Sequence, residues 1–252
     1  MARFVAELEN GTRHKTLDTT EHAVESNQQT REQANQESEK ALQSKIQNRS
    51  TERSRRSPKS KIQNLPPPTY RIHTLAGVMT PKLEANGLVT VDMGEPRLLA
   101  AEIPTTLGKP DQKVIDHSLE VAGQPWKVTC VSMGNPHCIT FVEDVAAIPL
   151  DVLGPQFECH PAFPKKINTE FIQVVRSHDL KMRVWERGAG ITLACGTGAC
   201  AALVAAVLTG RSDRHATIEL PGGSLQIEWA EASNRLYMTG PAERVFSGTM
   251  EP

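Results

Sequence analysis

The sequence has no long hydrophobic run, and no segment approaches the roughly 18 consecutive apolar residues that a membrane-spanning helix requires. Its first nine residues also lack the basic and then apolar layout of a secretory signal. The formal net charge is only −1, so no excess of one sign directs the chain to nucleic acid or to an acidic partner. We therefore expect neither a membrane nor a nucleic acid as partner.

Cysteines are few, and they form no recognisable framework. The 252 residues contain five, an odd number, and none precedes Cys130. This usage indicates a reducing compartment. Cys130 and the pairs 137–138 and 159–160 could suggest zinc, but no paired C-x-x-C spacing occurs and Cys138 lies in an apolar alternating run. We expect no metal site.

Aromatic residues make up only 4% of the chain and are absent from residues 12–68. That segment is rich in polar and charged residues, and its few apolar residues follow no persistent period, so residues 12–69 are predicted to be a disordered polar insertion. A basic cluster at 53–59 within it could be a localisation signal, a nucleic-acid contact or a phosphorylation target, or simply a solvated stretch.

From Tyr70 onward the pattern changes to short alternating runs, with Asn86-Gly87 as a hairpin signal and Gly123 at the turn between two of the runs. A short helix is expected at 146–154. A second, apolar helix is expected to begin near Gly196 and to be capped by Gly210. The chain is thus predicted to be α+β, with strands around one buried helix. The predicted strands are residues 70–75, 77–83, 88–93, 114–121, 124–133, 168–176, 180–186, 216–220, 224–229 and 235–239.

The reactive and ligand-binding groups are expected where the apolar helix begins. Cys195 stands at the start, followed by Gly196-Thr197-Gly198. A helix N-terminus lowers a thiol's pKa and offers free N–H groups to an anion. Glu186 and Arg187, just upstream, could bind an amine and a carboxylate. Alternatively, Cys195 is a small buried hydrophobe, as free cysteines often are.

Four ordered motifs resemble those of the diaminopimelate epimerase family, in its plant and cyanobacterial branch. They are Ser-Met-Gly-Asn-Pro-His-Cys at 132–138, Asn-Thr-Glu-Phe at 168–171, Glu-Arg-Gly at 186–188 with Ala-Cys-Gly-Thr-Gly-Ala-Cys at 194–200, and Met-Thr-Gly-Pro-Ala at 238–242. The resemblance implies antiparallel strands wrapped around a central apolar helix, a unit made twice per chain. It divides this chain into a first-domain helix remnant (1–11), the insertion (12–69), a partial first domain (70–122 with 238–252) and a complete second domain (123–237) whose central helix spans 196–209.

The resemblance also implies a reaction and part of a site. The family interconverts LL- and meso-2,6-diaminopimelate, in lysine biosynthesis, without pyridoxal phosphate, metal or other cofactor, using two cysteines as acid and base on opposite faces of the α-carbon. Cys195 would be one of these thiols. Gly196 and Thr197 would donate backbone N–H groups to the reacting carboxylate, Glu186 would hold the α-ammonium, and His137 would tune the protonation of the pair. His137 could instead be a hydrogen-bonded core histidine.

By the same resemblance, Asn135, Asn168 and Arg187 would bind the distal carboxylate of diaminopimelate. These three residues argue against a related proline-type racemase, whose substrate has no second carboxylate. The resemblance further suggests a homodimer located in a bacterial cytoplasm or a plastid stroma.

One expected thiol has no counterpart. The family carries it in a Cys-Gly-Asn-Gly stretch before a helix that residues 2–10 resemble, and Met1 stands where that stretch should be. We therefore expect an N-terminally truncated epimerase, with epimerisation below about one ten-thousandth of normal for this chain because the opposing acid–base group and half the pocket are lost. The alternative is a catalytically inactive paralogue that acts by binding or dimerising.

Overall fold

The computed structural model describes residues 69–74, 77–246 and 248–249. The predictions for the helix remnant, for the basic cluster at 53–59 and for the insertion up to residue 68 lie outside these described residues. Within them, no helix combines the length and apolar character needed to cross a membrane.

Strands dominate the described part of the chain. In chain order they are β1 (Ile72–Thr74), β2 (Gly77–Met79), β3 (Lys82–Leu83), β4 (Val89–Gly94), β5 (His117–Val121), β6 (Gln124–Ser132), β7 (Pro136–Phe141), β8 (Asn168–Arg176), β9 (Asp179–Glu186), β10 (Gly190–Ile191), β11 (His215–Leu220), β12 (Gly223–Trp229) and β13 (Leu236–Gly240). Two α-helices, α1 (Leu150–Glu158) and α2 (Gly196–Leu208), and a 3₁₀ turn at Ala100–Glu102 complete the described elements.

Eleven of the described strands form one sheet in the order β3-β4-β13-β12-β11-β9-β8-β7-β6-β5, with β10 added beside β9. Neighbours are antiparallel except β7 with β8 and β9 with β11, which are parallel. β1 and β2 form a separate two-stranded ribbon. Helix α2 contacts β6, β7, β8, β11, β12 and β13, so the sheet curves around it.

The predicted hairpins are confirmed. β3 and β4 are antiparallel neighbours joined through Asn86-Gly87, where Gly87 has a φ of +84°. β5 and β6 pair across Gly123, whose φ is +71°. Positive φ angles cost glycine little, so these turns form where the sequence indicates them.

Helix α2 is the apolar helix that the sequence predicts. Its residues from Gly198 to Ala206 are all buried, which explains why no polar face is visible in the sequence. Its C-terminus is closed by Gly210 at φ +69°, where the Gly210 N–H bonds to Val207 O and the Arg211 N–H to Ala206 O. This is the Schellman arrangement that glycine favours at this position.

The predicted bounds of the shorter helix are wrong. Residues 146–149 precede α1, which runs from Leu150 to Glu158. Proline disfavours a helix interior, because it removes one N–H and crowds the preceding turn, and the predicted helix ends immediately before Pro155. Here it lies inside the helix.

The sheet separates two hydrophobic cores. The first consists of α2 with inward residues of the curved sheet, among them Ile139, Ile172 and Ile218. The second lies on the other face, where α1 packs on β5, β8 and β9 and the rings of Trp126, Phe157 and Phe171 meet edge to face. The α+β class and the strands wrapped around a central helix are confirmed.

Candidate functional site

Cys195 is the N-cap residue of α2, as predicted. Its backbone is extended, with φ −138° and ψ 104°, and its sulfur accepts a hydrogen bond from the Gly198 N–H at 3.4 Å. The Thr197 hydroxyl lies 3.5 Å from the same sulfur. Cys195 is only 6% exposed. The thiol therefore lies among hydrogen-bond donors at the positive end of a buried helix.

The predicted pKa direction for this thiol is wrong. Burial, together with the nearby negative charges of Glu170 and Glu186, raises the pKa of Cys195 to about 12. The hydrogen bonds from Thr197 and Gly198 lower the pKa but do not compensate. Removing a thiolate from water outweighs the stabilisation at the helix N-terminus, and the sequence did not reveal how deeply this residue is buried. Cys195 is a thiol at neutral pH.

A continuous line of hydrogen bonds leads away from Cys195. Thr197 Oγ1 accepts from Asn135 Nδ2 at 3.2 Å, and Asn135 Oδ1 lies 3.0 Å from Nε2 of His137. The other ring nitrogen of His137, Nδ1, lies 2.6 Å from Glu170 Oε1. The structure thus joins three of the predicted site residues, Asn135, His137 and Thr197, to Cys195.

Glu170 is the residue that the sequence analysis missed. It lies on β8 within the motif at 168–171, and its side chain is completely buried. Its Oε2 has no hydrogen-bond partner among the described residues. Desolvation raises the pKa of this carboxyl group, while His137 acts in the opposite direction. A single glutamate within an apolar strand was the available signal, because glutamate is almost never fully buried without a partner.

The side chain of His137 is fully buried and hydrogen-bonded at both ring nitrogens, which fits the core-histidine alternative as well as a role in the site. The same side chain links Asn135 to Glu170 and forms part of the core. Its tuning role stays a prediction.

The remaining predicted residues lie where β9 ends. Oε1 of Glu186 accepts from the Thr192 hydroxyl at 2.5 Å. The Asn168 amide bridges two segments: its oxygen accepts from the Arg187 N–H at 2.7 Å and its nitrogen donates to Pro136 O at 3.0 Å. The Arg187 side chain is exposed, and its Nη1 donates to Lys165 O. Its guanidinium is not bonded to Asn135 or Asn168, so their joint role in binding a carboxylate stays a prediction.

Helix α1 makes hydrogen bonds to the turn that follows Glu186. Glu158, at the end of α1, accepts from Trp185 Nε1 at 2.7 Å, from Lys166 Nζ at 3.0 Å and from the Gly188 N–H at 3.2 Å. Burial opposes its ionisation, but these three donors outweigh it, so the pKa of Glu158 is lowered. An ionised carboxylate thus ties α1 to the turn that follows Glu186.

The other cysteines take no part in the line of hydrogen bonds that leads from Cys195. Cys130 and Cys138 face each other across β6 and β7 in the core on the α1 side, Cys200 is buried within α2, and Cys159 is exposed. In the part of the chain that the structure describes, no three histidine, cysteine or acidic side chains cluster closely enough to hold a metal ion.

Known proteins resemble this chain over most of its described length. The sequence model of diaminopimelate epimerase matches residues 129–245. "Diaminopimelate epimerase 1" of Nostoc sp. is 75% identical over 182 residues, which are 72% of this chain and 65% of that protein. "Diaminopimelate epimerase" of Synechocystis sp. is 70% identical over 183 residues, covering 73% and 66% of the two chains. This chain therefore spans slightly less than two thirds of the length of these curated relatives.

Solved structures are more distant. A hydroxyproline epimerase from Agrobacterium vitis aligns with a TM-score of 0.49 at 13% identity, covering 71% of this chain and 57% of its own. A predicted epimerase from Pseudomonas aeruginosa aligns with a TM-score of 0.45 at 16% identity, covering 74% and 70%. The high identity to the cyanobacterial proteins, together with the matching sequence model, decides the question of family: the chain belongs to the diaminopimelate epimerase family.

Proposed function

We propose that this chain carries one thiol half-site of a cofactor-independent epimerase that interconverts LL- and meso-2,6-diaminopimelate. The observation that carries the proposal is the position of Cys195, buried at the N-cap of α2 with the Gly198 N–H donating to its sulfur and the Thr197 hydroxyl 3.5 Å from it. Relatives at 66–75% identity that are named diaminopimelate epimerase support the choice of substrate.

In the proposed reaction, inversion at the α-carbon needs a base on one face and an acid on the other. With Cys195 as a thiol, the base on the opposite face of the α-carbon removes the α-proton. Cys195 then supplies a proton to the face on its own side. In the reverse direction, the Cys195 thiolate takes the proton that it gave. The raised pKa of Cys195 suits the donor role, since the group is protonated before substrate arrives.

Binding roles follow from charge and position. Backbone N–H groups of Gly196 and Thr197 at the start of α2 hold the reacting carboxylate, where the negative charge of the carbanion develops. Glu186 holds the α-ammonium. Asn135, Asn168 and Arg187 bind the distal carboxylate and so select a substrate of this length.

A chimaeric protein tests the half-site. The N-terminal part of the Nostoc relative, up to the position that aligns with Tyr70, is joined to residues 70–252 of this chain, and the interconversion of LL- and meso-diaminopimelate is measured. We expect epimerisation by the chimaera and a loss of about 10²–10⁴-fold when Cys195→Ala removes the proton donor. The matched control is Cys200→Ala on the same helix, which should keep most of the activity. A folded chimaera that is inactive, or equally active with and without Cys195, overturns the proposal.

The chain by itself should be a poor catalyst. We expect its rate to be below about one ten-thousandth of the chimaera's, because an opposing acid–base group contributes roughly 10²–10⁴-fold and correct positioning contributes more. The same assay with proline distinguishes a proline-type racemase. Binding of diaminopimelate or self-association without turnover by either protein would support the binding or dimerising paralogue. A homodimer in a cytoplasm or a plastid stroma remains a prediction from the family.

A further inference from the structure

In the line of hydrogen bonds from Cys195 to Glu170, the chemical groups determine which atom of each pair donates the proton. An amide oxygen can only accept hydrogen bonds, and an amide nitrogen can only donate them. The Asn135 amide lies with its nitrogen toward Thr197 Oγ1 and its oxygen toward His137 Nε2. Nε2 must therefore carry a proton and donate it to Asn135.

The contact at the other side of the ring requires a second proton. Nδ1 of His137 and Oε1 of Glu170 are 2.6 Å apart, a distance at which two bare acceptors would repel each other. One proton must lie between them, either on the nitrogen as an imidazolium–carboxylate pair or on the oxygen as a neutral pair. In both cases the pair has no net charge, which suits its complete burial.

The direction continues to the sulfur. Thr197 Oγ1 already accepts from Asn135, so its single hydroxyl proton is free to be donated to Cys195 Sγ at 3.5 Å. The Gly198 N–H donates to the same sulfur. From Nε2 of His137 through Asn135 to Thr197, the donors thus point toward Cys195, the direction that stabilises negative charge on sulfur.

The fit around Glu170 is close. A Cβ placed on Gly198 would lie 2.7 Å from Glu170 Oε1 and 3.1 Å from Cys195 Sγ. The carboxyl group therefore lies against the first turn of α2, and residue 198 must be small for it to remain there.

We propose that Glu170 is a positioning residue for Cys195: by holding one proton with Nδ1 of His137, it fixes the direction of the hydrogen bonds that run through Asn135 and Thr197 to the sulfur. This inference rests on the proposed acid–base role of Cys195. It adds a residue to which the family resemblance assigned no role.

Other titratable groups also face this arrangement. Glu186 on β9 lies near both Glu170 and Cys195, Cys200 on α2 is near Cys195, and Cys138 on β7 is near Glu170. A test must therefore separate the hydrogen-bond direction from the general effect of charge.

Two substitutions that give residue 170 the same charge separate the effect of hydrogen-bond direction from the effect of charge. Glu170→Gln and Glu170→Leu both remove the ionisable group, but only glutamine can still donate to Nδ1 and so keep the proton on Nε2. The full-length variants are treated with iodoacetamide, and alkylation of Cys195 is followed by peptide mass spectrometry. We expect Cys195 to react about threefold to tenfold faster in Glu170→Gln than in Glu170→Leu, the value of one well-oriented hydrogen bond. Exposed Cys159 serves as the internal control.

Thr197→Val breaks the line while keeping the shape of the side chain, so in its presence the two Glu170 variants should react at the same rate. ¹⁵N spectra of His137 provide a second readout, in which Nε2 should be protonated in the wild type and in Glu170→Gln. Three results would each overturn the proposal. They are equal alkylation rates of Cys195 in the two single variants, a difference between these rates that persists when Thr197→Val is added, and an unprotonated Nε2 of His137 in the wild type. None of these measurements uses substrate, so failure of the proposed epimerase activity would leave their outcome unchanged.

Discussion

The two thiols of α2 show how burial controls charge at single residues. Cys195 and Cys200 both have their pKa raised from 9.0 to about 12, chiefly by desolvation. Burial of the thiol disfavours the thiolate more strongly than a helix N-terminus favours it. The sequence places Cys195 correctly, but the direction of its pKa depends on packing by strands that are distant in sequence.

A pH dependence of stability follows from these raised values. The folded protein retains thiol protons that the unfolded chain releases above pH 9, so this stability is fully present below pH 9 and is lost as the pH rises toward about 12. Cys200→Ala should make the decline above pH 9 shallower, by at most about 1.4 kcal/mol per pH unit. Urea unfolding at several values between pH 7 and pH 10.5 measures it. Cys159→Ala, at an exposed thiol, should leave the slope unchanged, and equal slopes for all three proteins would contradict the prediction.

At the scale of elements, α1 packs against β9 through a glycine. Gly154 faces the indole of Trp185, and a Cβ at this position would overlap the ring. The ring cannot easily move aside, because its Nε1 donates to Glu158 at 2.7 Å. Trp185 directly precedes Glu186, so this contact also determines where the proposed ammonium-binding carboxylate lies.

Gly154→Ala should therefore destabilise the protein by about 1–3 kcal/mol, although alanine normally favours a helix over glycine. Thermal or urea unfolding measures the loss. The matched control is Gly108→Ala, where the new methyl group would meet only ordinary contacts at 3.5–3.9 Å and stability should change by less than about 0.5 kcal/mol. Similar effects of the two substitutions would show that the contact with Trp185 is not the cause.

Elements with local signals were predictable from the sequence, and those that depend on packing were not. Gly87, Gly123 and Gly210 mark turns whose backbone angles favour glycine, so the hairpins and the end of α2 were predicted correctly. The bounds of α1 were missed: the predicted helix ended at Gly154, whereas the observed helix continues through Pro155, although proline disfavours a helix interior. Glu170 was missed because its partner, His137, comes from a different strand, and the register of β7 with β8 is not visible in local sequence.

At the scale of the whole molecule, the two cores share the strands β6 to β9. Ile139 and Ile172 face α2, while Cys138 and Phe171, their neighbours along β7 and β8, face the core on the α1 side. Neither core can lose these strands without exposing the other. The described part of the chain should therefore unfold in one cooperative transition.

Leu203→Ala tests this coupling from the core on the α2 side. Leu203 is fully buried, so its truncation should cost about 2–5 kcal/mol. Trp126 and Trp185 pack on the opposite core, and in a Trp229→Phe background their fluorescence reports on that core alone. We expect their unfolding midpoint in urea to move as far as the midpoint seen by circular dichroism. Leu193→Ala, the same change at a side chain 68% exposed, should move neither. A fluorescence midpoint that stays in place while the dichroism midpoint falls would mean that the cores unfold independently, and the shared strands would then not couple them.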